Sequence, residues 1–288
     1  MPNAEENTEN KEISTGKGDI VVATSAKEQT KAARVFEFTF DGDKTKDLSL
    51  KEAVIANIIV GIIALAIYFP VEMQHYQIMY SQYYFHVLLS LICFVLVPII
   101  YMIIIRIKTG KARYFFLATK KGLTPKKIIS SLIQGCLMHA GLFFPWILLS
   151  QMFMDDVIKL KYFLIGPGEW VALLSFFAIN VIVFEFYSKA FIQIQFMEAK
   201  GSLKLFRGAL EIKSGKWLGF ILQNIAWLGG HVQEFFWLQE YIGVVNSIFF
   251  IVVSGILTGI TVMETENIFG VAIGHVLLNI LIVVTYAV

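Results

Sequence analysis

Long apolar runs with a few isolated polar residues are the feature that most constrains the fold of this chain. The clearest run extends from about Ile268 to Val288. A transmembrane helix needs about 20 consecutive, predominantly apolar residues, and this run has that length. It contains His275 and Asn279, which are four residues apart and therefore fall on one face of a helix. The run predicts a membrane-spanning helix that carries a polar pair.

The composition places the whole chain in the same class. Hydrophobic residues make up 57% of its 288 residues and charged residues 16%, and the mean hydropathy is +0.67. A soluble globular domain is less apolar and more highly charged. The formal net charge of +2 is too small to indicate a nucleic-acid partner. We therefore predict an integral, multi-pass membrane protein whose immediate partner is the lipid bilayer.

The apolar runs predict an all-α transmembrane bundle of about seven spans over residues 49–288. Ser49 and Glu52 have the spacing of a capping box that starts the first helix, and Pro70 is expected to end it. Residues 1–48 are rich in charged and polar side chains and predict a disordered tail. The predicted spans are residues 53–69, 84–105, 126–153, 169–197, 217 to beyond His231, 241–263 and 268–288. Pro125 is expected in the first turn of the third span, and the GxxxG spacing of Gly255 and Gly259 predicts close helix contact in the sixth.

The distribution of basic residues predicts the orientation of the bundle. Eight Lys and Arg residues and no acidic residue lie between Arg106 and Lys127, which is typical of a cytoplasmic loop. This loop and the loop from Lys200 to Lys216 are expected in the cytoplasm together with the N-terminal tail. The C-terminal Val288 then lies on the opposite side. The membrane is that of the cell surface or of the endoplasmic reticulum.

Three of the predicted spans carry a pair of residues that stand out from their apolar surroundings. Ionisable and amide groups in hydrocarbon cost free energy unless partners satisfy them, so they tend to mark functional sites. Counted from the cytoplasmic helix ends at 1.5 Å per residue, Glu185, His231, His275 and Asn279 lie at similar depths of roughly 14 to 21 Å. We therefore expect them to form one site. The pairs are Glu185 with Lys189, Trp227 with His231, and His275 with Asn279.

A carboxylate beside an imidazole in a dry pocket can hold and polarise a water molecule, which is general-base hydrolysis. A second imidazole and a carboxamide can stabilise the oxyanion that forms when water attacks an amide carbonyl. The alternative is structural: Glu185 and Lys189 form an ion pair within one helix, and the histidines join helices through hydrogen bonds. His139, which stands alone in the third span, is interpreted as a helix-packing residue.

The order and spacing of these residues resemble those of the CPBP family of membrane proteases. This family includes the type II CAAX prenyl endopeptidases and bacteriocin-processing proteases. Its motifs are EExxxR followed by a small residue, an aromatic residue four positions before a histidine, and HxxxN. The protease-like core would cover residues 126–288. The corresponding stretches of this chain are Phe184 to Phe191, Trp227 to His231 and His275 to Asn279.

The resemblance implies an intramembrane endopeptidase that cleaves a membrane-associated peptide or a prenylated protein tail. Glu185 and His231 would activate water, and His275 and Asn279 would stabilise the oxyanion. Lys189 would orient Glu185, and Trp227 would support the site. No cofactor is favoured by this interpretation. The alternative is a zinc site built from Glu185, His231 and His275.

The first motif departs from the family pattern at one position. Aligning Lys189 with the Arg of the family motif places Glu185 at the second Glu and Phe184 at the first. The first Glu is the one usually assigned to water activation. A second hypothesis is therefore a non-catalytic descendant of the same fold that binds membrane proteins or peptides as a scaffold.

Overall fold

The computed structural model describes residues 48–75, 88–109, 116–154, 167–205 and 210–286. Most of these residues are helical. The predicted tail of residues 1–48 lies outside this part except for Leu48. The elements are α1 (Leu50–His75), a first π-helical segment (Ile92–Leu96), α2 (Val97–Thr109), α3 (Pro125–Met154), α4 (Pro167–Glu185), a second π-helical segment (Phe186–Ile194), α5 (Gln195–Glu198), β1 (Leu203–Leu205), β2 (Leu210–Ile212), α6 (Gly215–Gly230), α7 (Val232–Ile242), α8 (Val244–Thr265) and α9 (Phe269–Tyr286).

Three helical stretches are long and apolar enough to cross a membrane. They are Leu50–Tyr68, Pro125–Ser150 and Val244–Thr265. Two shorter apolar helices, Leu88–Ile104 and Phe269–Ile282, belong to the predicted second and last spans. Many large apolar side chains on these helices face outwards, for example Leu65 and Leu137. A protein surface of this kind is suited to contact with lipid acyl chains.

Helix α1 begins as predicted but ends later. The Ser49 amide and hydroxyl both donate hydrogen bonds to Glu52 Oε2, at 3.0 and 2.7 Å, and the Glu52 amide donates to Ser49 Oγ at 3.2 Å. The capping box is therefore confirmed. The prediction that Pro70 ends the helix is wrong, because α1 continues through it to His75. A proline inside a helix removes one backbone hydrogen bond and bends the axis, and apolar helices tolerate this defect.

The predicted fourth span is not one continuous α-helix. After Glu185 the backbone becomes π-helical until Ile194, and it returns to α-helix only for α5. A π-helix closes i→i+5 hydrogen bonds, so it places an extra residue in each turn and rotates every later side chain around the axis. The first π-helical segment lies just before Pro98, where the proline has no amide proton to continue the α-helical ladder.

The chain between α5 and α6 forms two short strands that the all-α prediction did not include. β1 pairs antiparallel with β2, with Leu203 opposite Ile212. Beside this pair, the Leu50 amide donates a hydrogen bond to the Lys200 carbonyl, and the Lys200 amide donates to the Leu48 carbonyl. The beginning of α1 and the end of α5 therefore lie together.

A second set of contacts joins the beginning of α3 and the turn between α8 and α9. The Thr119 amide and hydroxyl donate to Glu266 at 2.9 and 2.6 Å. The Asn267 amide group donates to the Gly122 carbonyl at 3.1 Å. Leu50 and Ile268 belong to one buried apolar cluster that links both sets of contacts. The first set of contacts thus joins the start of α1 to the described part of the predicted Lys200–Lys216 loop, and the second joins the described part of the predicted Arg106–Lys127 loop to the α8–α9 turn.

Helices α3 and α9 pack more extensively than any other pair of described elements. Glycine makes this possible. A Cβ atom added to Gly270 would lie 1.7 Å from the Ser131 carbonyl oxygen, and one on Gly135 would lie 2.2 Å from the Gly270 oxygen. The two backbones therefore touch, as small residues allow in membrane helix pairs. This contact places α9, and with it His275, against α3.

Helix α8 packs against α6 through the predicted GxxxG pair. A Cβ atom on Gly255 would lie 2.7 Å from Trp227 Cδ1, and one on Gly259 would lie 2.4 Å from Gln223 Nε2. The expectation that these glycines permit close helix contact is confirmed. The prediction that the fifth helix extends beyond His231 is wrong, because α6 ends at Gly230 and α7 begins at Val232.

Candidate functional site

Glu185 and His275 form the centre of the candidate site. The His275 Nδ1–H group donates a hydrogen bond of 2.8 Å to Glu185 Oε1. The Glu185 side chain is fully buried and His275 is 7% exposed. The second carboxylate oxygen of Glu185, Oε2, is also buried and has no hydrogen-bond partner among the described protein groups. A buried carboxylate oxygen of this kind is suited to accept a hydrogen bond from a bound water or substrate group.

Lys189 lies in the π-helical segment that follows Glu185, and its side chain is directed towards α6. Lys189 is fully buried, and its ammonium donates to Gln223 Oε1 and lies 4.3 Å from the Trp227 ring centroid. No ion pair joins Lys189 to Glu185 within the described part of the chain. The ion-pair half of the structural alternative is therefore wrong, whereas its other half holds for His275, whose hydrogen bond to Glu185 joins α9 to α4. Glu185 bonds to His275 and Lys189 to Gln223, so the two side chains have separate partners on other helices.

His231 is the residue that links α6 and α7. Its φ and ψ angles are −101° and 16°, in the sparsely populated bridge region where many active-site residues lie. Its Nδ1–H group donates to the Trp227 carbonyl at 2.8 Å, and its ring stacks on the Trp227 ring at 4.0 Å between centroids. The ring centroids of His231 and His275 are 6.0 Å apart and their planes differ by 17°. His231 is thus near the centre of the site, but Glu185 is hydrogen-bonded to His275.

The hydrogen bonds define the tautomers of both histidines. A backbone carbonyl and a carboxylate only accept hydrogen bonds, so each Nδ1 atom carries a proton. In the neutral form of each ring, the Nε2 atom then has a free lone pair. His231 and His275 are therefore both able to accept a proton or a hydrogen bond from a molecule bound between them and Glu185.

Three side chains from α6 and the second π-helical segment bind successive turns of α8. Trp227 Nε1 donates to the Ile251 carbonyl at 3.1 Å, Gln223 Nε2 donates to Gly255 at 3.2 Å, and Gln193 Nε2 donates to Gly259 at 2.7 Å. These bonds hold the Trp227 ring, on which His231 stacks. The sequence analysis did not include Gln223 or Gln193. The signal was present, since each lies four residues from a predicted site residue.

The structure adds His139 to the site. Its ring centroid is 5.7 Å from that of His275 and the two planes differ by 11°. From the sequence, His139 was expected to be a helix-packing residue. Its depth was an available signal, because it lies 13 residues after Lys126, which is roughly 20 Å along a helix and similar to the other site residues.

Asn279 and Phe184 lie at the edge of the site. Asn279 is half-buried, one helical turn after His275, and forms no hydrogen bond with Glu185, His231 or His275. Phe184 is half-buried, and its ring centroid is 6.4 Å from that of His231. A Cβ atom on Gly230 would lie 2.8 Å from Phe184 Cε1, so the glycine makes room for this ring.

The zinc hypothesis requires three ligands that converge on one point. Among the described residues, no group of three or more His, Cys, Asp and Glu side chains has such an arrangement. The rings of His231 and His275 are instead nearly parallel.

The fold and the site together define a mostly helical protein that has helices long and apolar enough to cross a membrane and a buried carboxylate–histidine pair. Comparison of the chain with protein-family models, curated proteins and solved structures finds no match.

Proposed function

We propose that this protein is an intramembrane endopeptidase that uses water activated by a histidine–carboxylate pair. The observation that carries the proposal is the buried hydrogen bond of 2.8 Å between His275 and Glu185. A carboxylate bonded to Nδ1 of an imidazole orients the ring and favours the proton-accepting state of Nε2. Helix packing alone does not need an ionisable pair and two further histidines inside an apolar bundle. Such groups are costly there and usually mark a functional site.

The reaction follows from the free groups of the site. The Nε2 atom of His275 takes a proton from water while the water oxygen attacks the peptide carbonyl carbon. Glu185 keeps its negative charge throughout, and this charge stabilises the imidazolium that forms on His275. The second hydrogen of the water stays on the water oxygen and donates a hydrogen bond to His231 Nε2. When the tetrahedral intermediate collapses, the C–N bond breaks and His275 returns its proton to the leaving amine.

The oxyanion of the tetrahedral intermediate needs a hydrogen-bond donor. Asn279 is the candidate, because its amide group is uncharged and lies one turn from His275. This assignment keeps the role that the sequence analysis gave to Asn279. It moves water activation from the pair of Glu185 and His231 to the pair of Glu185 and His275. Lys189 and Trp227 remain supporting residues, which act through Gln223 and His231.

The proposal includes a seven-span topology with the N-terminus in the cytoplasm. The contacts of Ser49 with Lys200 and of Ala118 with Asn267 support it, because each joins two segments that this topology places on the cytoplasmic side. Its substrates would be membrane-associated peptides or prenylated protein tails, and the site would lie near the middle of the bilayer in the cell membrane or the endoplasmic reticulum.

The test is proteolysis by the purified full-length protein in detergent. The substrates are prenylated CAAX peptides and hydrophobic leader peptides. Glu185→Gln keeps the size of the side chain but removes its charge, and we expect it to lower kcat by about 100-fold or more. The matched control is Ser247→Ala, since the Ser247 hydroxyl is buried but donates only to the Gly243 carbonyl of its own helix. Equal rates for wild type and Glu185→Gln would refute the proposal.

One observation favours the scaffold hypothesis as a second candidate. Phe184 occupies the position of the first family Glu, and its ring lies against Gly230 and 5.6 Å from the Phe94 ring centroid. An apolar side chain there suits binding of a peptide better than hydrolysis. Under this hypothesis wild-type protein can be photocrosslinked to peptides of the panel but cleaves none of them. Cleavage by wild type that is lost in Glu185→Gln would eliminate it.

A further inference from the structure

We propose that His139 is a positioning residue that holds the ring of His275 in the plane required for its hydrogen bond with Glu185. The first observation is geometric. The two imidazole rings are parallel to within 11°, with centroids 5.7 Å apart, and His139 is only 2% exposed. Its aromatic face is therefore one wall of the space in which the His275 ring can turn.

His139 is itself held in place by its own helix. Its Nδ1–H group donates to the Gly135 carbonyl, one turn earlier in α3, at 2.7 Å. This bond uses the only proton of the neutral ring, so His139 has no donor to offer His275. Its effect on His275 therefore comes through ring contact. The neutral ring also adds no positive charge beside an imidazole that must accept a proton.

The approach of His139 to α9 depends on the residue before His275. A Cβ atom on Gly274 would lie 2.5 Å from His139 Nδ1 and 2.5 Å from the Gly135 carbonyl oxygen. Only glycine at this position lets the His139 ring reach α9. The same backbone contact that joins α3 and α9 thus presents His139 to His275.

The other two rings beside His275 hold the orientation of its ring plane less well than the ring of His139 does. The Trp227 ring is 5.1 Å away but inclined by 42°, and the nearly parallel ring of His231 is 6.0 Å away. One hydrogen bond through Nδ1 allows rotation about the bond axis. The parallel, offset ring of His139 restricts that rotation, and it thereby directs the Nε2 lone pair of His275.

The positioning role of His139 deepens the proposed function, and only its predicted effect on cleavage kinetics rests on that function. The tautomers of the histidines are therefore measured without substrate, in full-length protein labelled with ¹⁵N-histidine, by long-range ¹H–¹⁵N correlation spectra. Two variants separate the two features of His139. His139→Phe keeps an aromatic face but loses the bond to Gly135. His139→Asn keeps a donor for the Gly135 carbonyl but has no ring.

We expect His275 in the wild type and in His139→Phe to show a single tautomer with the proton on Nδ1. In His139→Asn both tautomers of His275 should exchange, while His231, bonded to the Trp227 carbonyl, keeps one tautomer. A single His275 tautomer in His139→Asn would overturn the proposal, whether or not His139→Phe folds, because the ring would then be unnecessary.

If peptides are cleaved, His139→Asn should lower kcat by about 10-fold to 100-fold with little change in KM, as expected when a reacting group is misplaced. Absence of cleavage by any variant, with the spectra as expected, would refute hydrolysis but leave the positioning role of His139 intact. A change in KM alone would contradict the positioning role.

Discussion

The glycines between α3 and α9 allow a graded test of how the site is assembled. Replacing each by alanine adds one methyl group at a position whose clearance is known. For Gly270→Ala the added Cβ would lie 1.7 Å from the Ser131 carbonyl oxygen. For Gly135→Ala it would lie 2.2 Å from the Gly270 carbonyl oxygen, and for Gly274→Ala 2.5 Å from His139 Nδ1. Gly141, on α3, has no atom within 4 Å of an added Cβ and is the matched control.

The size of the effect follows from these distances. Ordinary contact begins at 3.4 Å, so the neighbouring atoms must withdraw by about 1.7 Å for Gly270→Ala and about 0.9 Å for Gly274→Ala. The obstructing atoms belong mainly to backbone, which cannot rotate away. Forcing an extra methyl group into a packed contact costs about 1–3 kcal/mol. In contrast, Gly141→Ala should stabilise α3 by about 0.5–1 kcal/mol, because position 141 is exposed and alanine is the better helix former.

Thermal unfolding in detergent measures the result, with a shift of about 2–4 °C in Tm for each kcal/mol. We expect stability to increase in the order Gly270→Ala, Gly135→Ala, Gly274→Ala, Gly141→Ala. Gly274→Ala should also disturb the tautomer of His275, because the methyl group displaces His139. If Gly270→Ala were as stable as Gly141→Ala, the close backbone contact of α3 and α9 would be refuted.

Two further predictions concern the first motif and the topology. Phe184→Glu should reduce peptide cleavage, because it places a second carboxylate near that of Glu185 in an apolar site, where like charges oppose each other. A large increase in cleavage would instead assign the catalytic role to position 184. Single cysteines introduced at Lys120 and Lys213 should react with an impermeant thiol reagent only from the cytoplasmic side of sealed vesicles, and labelling of both from the outside would contradict the predicted orientation.

Local sequence signals predicted the features that depend on near neighbours. The capping box of Ser49 and Glu52 forms because both partners lie within one turn. Helix α3 begins at Pro125, where a proline in the first turn loses no hydrogen bond. The GxxxG spacing of Gly255 and Gly259 predicted a close helix contact from the size of the residues alone.

The same approach failed where backbone geometry responds to distant packing. Hydrophobic periodicity does not distinguish an α-helix from a π-helix in a segment that is buried on nearly all sides, as Phe186–Ile194 is. Likewise, Pro70 has the local signature of a helix end, yet α1 continues to His75. The helix breaks at His231 because two weak helix formers, Gly229 and Gly230, precede it. The ring of Phe184, from a distant part of the chain, also packs against Gly230.

The sequence by itself predicted one shared site for polar residues on three apolar segments, because their expected depth follows from helix rise and the predicted positions of the charged loops. It did not determine which of them touch. The choice of His275 as the partner of Glu185, and the inclusion of His139, depend on the rotation of each helix about its axis. That rotation is decided only by tertiary structure, through the π-helical turn after Glu185 and the glycine contacts that bring α3 against α9.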